Sequence, residues 1–475
     1  MPIAECQHSN RGRRMRCGVG VAAGVELAAA ERWHDDGVRI GVLMEKVCWS
    51  AVVRVIVFLA VWTQTATAST ITVNSKVDAV TSADGQCTLR EAIANVNAAA
   101  DTTNGDCPAG SGTGDIIAFA LTLPAQIKLT LGQLVVEQNV DIVGPVRGTL
   151  RITGAHAASV LRIATGASCS ISSLSIEQGK ADFGAGIRND GTLTLTNCIL
   201  KNNRGVAGGG IYNEGTAILT ACTIAGNQAS STTSGSGGGG VVNSGTMTMT
   251  DCTLTGNRGG QGAGGVANGG TLALSNCTLD GNSGGQGGGI YNSGALTLSN
   301  CTITRNKARY GVGGGVLNIG TATLTNCTLD RNTAFAGTGS LGGGGIWHYA
   351  FNGSATTLTN TIVAHGGRGR DCGGDPIISG GHNLDSDGTC FASGGSDLVN
   401  ADPMLARPGN YGGPTPTLAL CTALRTPAGS CRGASPALDA GDDAVTYPPD
   451  NLATDQRGLP RKAGAHVDIG AYEDQ

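Results

Sequence analysis

Gly287-Gly288-Gly289-Ile290-Tyr291-Asn292-Ser293-Gly294-Ala295-Leu296-Thr297-Leu298-Ser299-Asn300-Cys301-Thr302-Ile303-Thr304-Arg305-Asn306 is one copy of a unit that the chain repeats. In six copies an asparagine is followed nine residues later by a cysteine: Asn189 and Cys198, Asn213 and Cys222, Asn243 and Cys252, Asn268 and Cys277, Asn292 and Cys301, Asn318 and Cys327. The cysteines stand 24, 30, 25, 24 and 26 residues apart while the inner spacing stays at nine, so length varies in one loop per unit. A fixed period with one elastic joint implies a solenoid, whose units bury their apolar faces on one another.

Within the unit the apolar residues alternate, as in Leu193 and Leu195 or Leu296 and Leu298, which is the period of a strand. The alternation slips by one at the Asn-Cys step, so a bend sits there and a second strand begins. A third short strand carries the pattern Ile-x-Asn (Ile211, Val241, Val266, Ile290, Val316) and is entered through glycine runs suited to a tight corner. Three short parallel strands per turn make an all-β, right-handed parallel β-helix with rungs about 4.8 Å apart. Leu193, Ala217, Met247, Leu272, Leu296 and Ala322 then form one inward row, and the six cysteines another. The strand-end asparagines, from Asn203 to Asn332 and from Asn189 to Asn318, are expected to be structural amide ladders.

Glycine supplies 78 of 475 residues and charged residues only 14%, against about 25% in typical soluble domains. Positions 1–43 read as an extension ahead of the natural start. Positions 44–68, from Met44 through the apolar stretch Val55 to Trp62 to Ala66-Thr67-Ala68, read as a signal peptide. That stretch is short of the roughly 20 residues of a membrane span. Cleavage there leaves 23 basic against 29 acidic residues, with no basic stripe expected to hold nucleic acid. The rest divides into an N-terminal cap (69–136), the β-helix repeats (137–370) and a C-terminal region (371–475).

Cysteine usage falls into two groups. Cys87 and Cys107, Cys372 and Cys390, and Cys421 and Cys431 lie in loop-rich stretches and are expected to form three disulfides in an exported chain. The rung cysteines project in parallel, which suits free buried thiols and neither disulfides nor a tetrahedral metal site.

Cys87-Thr88-Leu89-Arg90-Glu91-Ala92-Ile93 resembles the defining motif of the CSLREA domain, with threonine in place of serine. Thr88 to Val96 is expected to be a short helix that covers the open first rung, with Arg90 and Glu91 serving a salt bridge of that cap. At the other end, Tyr411-Gly412-Gly413-Pro414-Thr415, Ala434 to Gly441, Asp455-Gln456-Arg457-Gly458 and Asp468 to Glu473 resemble the choice-of-anchor Q domain of bacterial surface and secreted proteins. The resemblance implies export. With no sorting signal following Glu473, secretion is expected ahead of surface anchoring.

Several residues are candidates for a site. Trp347, with His348, Tyr349 and Phe351 on what reads as the last rung, and Tyr310 beside them, form either a sugar-stacking platform or a plug for the end of the coil. Asp385 and Asp387 outline a calcium loop without its further ligands. Asp280 and Asp330 share a column next to Arg305 and Arg331, read as solvated charge pairing. Threonine columns (Thr192, Thr216, Thr246, Thr271, Thr321, and Thr196, Thr220, Thr250, Thr325) fit an exposed strand face, with an ice-ordering surface as a minor alternative. No nucleophile motif stands out. The reading favours a non-catalytic adhesin that binds an extracellular polysaccharide or a cell-surface glycan, without a cofactor unless calcium. A polysaccharide lyase or glycoside hydrolase is the alternative.

Overall fold

The computed structural model describes residues 67–233, 235, 237–335, 342–367, 370–422 and 431–475, so the expected extension and nearly all of the expected signal peptide lie outside the described residues. Every turn of the repeat runs through the same sequence of bends. Thr192–Thr196, Ile199–Lys201 and Ile211–Asn213 are its three strands; the first two pair in parallel with their counterparts 24 residues later, and the third with its counterpart 24 residues earlier. Stacked copies build two 12-stranded sheets and one 10-stranded sheet among the described residues, all parallel. The chain is a right-handed parallel β-helix.

Register follows the alternation read from sequence. Leu193, Ala217, Met247, Leu272, Leu296 and Ala322 are register partners and almost wholly buried, and the threonines between them face out. The bend at the Asn-Cys step is a left-handed corner: Asn197, Asn276, Asn300 and Asn326 have φ of 50–56°, which asparagine tolerates better than most residues. The two other asparagine rows are wholly buried ladders. Asn213 Nδ2 donates to Asn243 Oδ1 at 2.8 Å, and Asn227 Nδ2 to Asn257 Oδ1 at 3.1 Å, turn after turn. Glycine is obligatory where turns approach closely: a Cβ on Gly215 would lie 1.9 Å from Gly191 O.

A fourth strand, which the sequence reading lacked, precedes the glycine run. Lys180–Phe183, Arg204–Ala207 and Gln228–Ala229 form a small parallel sheet, and Ser283–Gly284, Lys307–Ala308 and Thr333–Ala334 form another.

Strands of the coil also begin before the repeat is legible, since Thr70–Val73 pairs with Asp115–Phe119 at the head of a 12-stranded sheet. The helix runs Leu89–Ala98 and places Leu89, Ala92, Ile93 and Val96 in the core. The expected cap salt bridge is made by Arg90 alone. Glu91 closes a capping box with Thr88, and Arg90 pairs with Asp78 at 2.6 Å. Cys87–Cys107, Cys372–Cys390 and Cys421–Cys431 are bonded, with Cα atoms 4.9, 4.8 and 5.6 Å apart, while Cys169 and the six rung cysteines are free and buried.

The C-terminal segment folds back along the outside of the coil. Gln456, fully buried, donates to Thr278 Oγ1 and Thr415 Oγ1 at 2.9 Å and accepts from Thr302 Oγ1 at 2.6 Å. Arg461, also fully buried, holds Asn300 Oδ1 at 2.6 Å and Gly470 O at 2.9 Å. Arg457 bonds Asp455 at 2.7 Å and stacks 3.7 Å from the Tyr472 ring centroid. The Asp455–Gly458 and Asp468–Glu473 stretches are therefore the fastening of this segment to the rungs.

Candidate functional site

Outer side chains of the 10-stranded sheet stack in one column. Register aligns Tyr212, Val242, Ala267, Tyr291, Leu317 and Trp347. Strand alternation turns Ile346 inward, where it is fully buried, and Trp347 outward. The indole lies over the next strand, where a Cβ on Gly373 would come within 2.7 Å of the six-membered ring. Tyr349 stands edge-on to it, with centroids 5.6 Å apart, and is 44% exposed.

This geometry corrects two expectations. Trp347 does not plug the coil, and its rung is not the last, because Ile346–His348 pairs onward with Cys372–Gly374. His348 leaves the candidate set, being buried with Nδ1 3.0 Å from Pro376 O and Nε2 3.5 Å from Ser354 Oγ, so it braces the insertion loop. Phe351 is exposed on that loop, but Tyr310 sits on another loop, with its N–H on Gly285 O and its ring 5.6 Å from Arg309. Trp347 and Tyr349 thus come together, while Phe351 and Tyr310 are exposed on their loops. The Trp347 indole N–H is buried without an acceptor among the described residues, which is uncommon for a placed aromatic ring. Tyr212 and Tyr291 escaped the sequence reading, although their place in the Ile-Tyr-Asn strand puts them in the same outward position as Trp347.

The calcium loop acquires a third carboxylate that local spacing concealed. Asp371, from the preceding turn, has an oxygen within 4.8 Å of those of Asp385 and Asp387. Burial and the neighbouring Asp387 and Asp385 charges raise Asp371 to about 6. These oxygens already accept hydrogen bonds from Gly366 N, Ser386 N, Cys390 N and Thr389 N, so the turn closes on itself. Hard cations such as calcium take oxygen sets of this kind.

The acidic column pairs with its arginines as expected, Asp330 lying 3.5 Å from Arg331, but it is solvated only in part. Asp280 does pair with Arg305 at the surface, at 2.8 Å, but Asp330 is fully buried and bonds His365 Nδ1 at 2.6 Å. His365 Nε2 lies 3.6 Å from Asp402 of the C-terminal segment, and the hydrogen bond to Asp330 raises its pKa. Nor is a basic row absent: Lys180, Arg204, Arg258 and Lys307 fall in one register column.

Residues 158–334 match the family model described as right handed beta helix region, which agrees with the turns just described. Among solved structures, the crystal structure of pectate lyase Pel9A aligns with a TM-score of 0.43 and 14% identity, over 86% of this chain and 98% of that one. A Geobacillus virus E2 protein, ORF18, aligns with a TM-score of 0.39 and 13% identity, over 66% of this chain and 58% of that one. Neither likeness bears on activity. No curated protein matches the chain. Among the described residues no helix is long and apolar enough to cross a membrane.

Proposed function

We propose that this is an extracellular, non-catalytic β-helix protein that binds a glycan through the Trp347–Tyr349 aromatic pair. The outward placement of Trp347 carries the reading. Its ring is braced from below by Gly373 and faced by an exposed tyrosine, so one amphipathic ring is held rigid at the surface and a sugar can stack without ordering a mobile side chain. Three disulfides in the loop-rich ends favour an oxidising compartment. The CSLREA-like and choice-of-anchor Q-like stretches point the same way.

A glycan array compared between the protein and Trp347→Ala tests this. Losing one stacking ring is expected to weaken the best hit by about 1 to 2 kcal/mol, roughly five- to thirtyfold, with the melting temperature little changed. Unchanged affinity in the variant would remove the platform. A second reading, a lyase or glycoside hydrolase acting on extracellular polysaccharide, is favoured by the Asp330–His365 pair. Release of reducing or unsaturated sugars, lost in His365→Ala, would establish it.

A further inference from the structure

We propose that the column of cations Lys180, Arg204, Arg258 and Lys307 is a docking track for a linear acidic polysaccharide bearing carboxylate or sulfate groups. It rests on the glycan-binding reading above and adds to it the ligand's charge and a second face of the coil.

Strand register places the four side chains in one line. Lys180 pairs with Arg204, Arg204 with Gln228, Gln228 with Arg258, Arg258 with Ser283, and Ser283 with Lys307. All four cations are exposed. Five rung steps of about 4.8 Å put the outer two roughly 24 Å apart. Lys180, Arg204 and Arg258 make no ion pair or side-chain hydrogen bond with a described residue, and Lys307 rests 4.5 Å from the Phe335 ring centroid. Some cations elsewhere are paired, as in Arg90 with Asp78, Arg188 with Asp190 and Arg305 with Asp280, whereas Lys180, Arg204 and Arg258 are free to meet a ligand. Lys180 and Arg204 stack on adjacent strands, where like charges repel one another, a cost that an anionic ligand would relieve. Beside its first three rungs lies an open groove of about 590 Å³, with Ala181, Gly205 and Ala229 along the middle of the strands and Asp182 as its acid.

The spacing favours a polysaccharide over nucleic acid. One cation per roughly 8 Å suits a chain with a charge on every sugar or every second one, whereas duplex DNA carries a charge per ~1.7 Å and winds away from a straight row. Between the cations stand Gln228 and Ser283, which can bond sugar hydroxyls, where single-strand binders interleave aromatic rings for base stacking.

Binding to immobilised alginate (carboxylate) and heparin (sulfate) is the test, with a duplex oligonucleotide in parallel. The protein is expected to bind at least one of the two glycans in a salt-sensitive way. Arg204→Gln/Arg258→Gln should weaken that binding about tenfold or more, and Arg151→Gln, exposed on another sheet, should not. No binding to either glycan, equal losses in the double variant and in Arg151→Gln, or tighter column-dependent binding of the oligonucleotide would each overturn the proposal. Trp347→Ala separates the two readings. Loss of alginate or heparin binding in the arginine variant alone sustains the track and sinks the aromatic platform, and loss in Trp347→Ala alone does the reverse.

Discussion

Replacing Asn257 with alanine should damage the coil far more than a polar-to-apolar change at a bend ordinarily would. Its side chain is fully buried and makes four bonds. Oδ1 accepts from Asn227 N at 2.9 Å and from Asn227 Nδ2 at 3.1 Å, while Nδ2 donates to Ile224 O and Asn282 Oδ1, both at 2.9 Å. Two of the four partners are cushioned: Asn227 Nδ2 keeps Leu200 O, and Asn282 Oδ1 keeps Asn257 N. A third, Ile224 O, keeps Thr255 N–H in the strand ladder, so only Asn227 N–H is left unmade with no water to replace the amide, at about 1 to 3 kcal/mol. Adding the small void gives an expected cost of about 2 to 4 kcal/mol. Urea unfolding followed by circular dichroism reads this as a lower midpoint at unchanged slope. Thr248→Ala, on the outer face of the same turn, should stay within about 0.5 kcal/mol. A cost under about 1 kcal/mol for Asn257→Ala would refute the idea that the amide ladder holds the corners.

Two further outcomes follow from buried groups. Residues 69–475, denatured without reductant, should titrate as seven thiols, and the native protein as none, because Cys169 and the six rung cysteines are free and buried; a thiol assay finding one or none after denaturation would mean the ladder is oxidised. Burial raises Glu473 to about 7, and Asp468 and Asp371 to about 6, so the folded state holds protons that the unfolded chain gives up; their contribution is complete below about pH 4 and is lost as pH rises through 6 to 7. His365, raised by Asp330, acts in the same direction, and the melting temperature should be lower at pH 8 than at pH 5.5, a rise instead counting against the buried carboxylates of the C-terminal segment.

Sequence alone determined the coil because every link in that inference is local or periodic. Side-chain alternation, the slip at Asn-Cys and the nine-residue spacing fix which residues face in, and a parallel solenoid repeats that choice on each turn. The free cysteine row and the two amide ladders follow from the same stacking. What the period could not convey is which side chains meet from different rungs or from the irregular ends. Lys180, Arg204, Arg258 and Lys307 belong to turns of unequal length, so their alignment emerges only when the strands are in register. Asp371 reaches Asp385 and Asp387 from the preceding turn, and Asp330 is buried because His365 and the C-terminal segment close over it. Trp347 lay open to either reading in sequence. Strand alternation turns it outward, and the Gly-Gly pair at 373 and 374 on the strand that follows leaves room for the indole there.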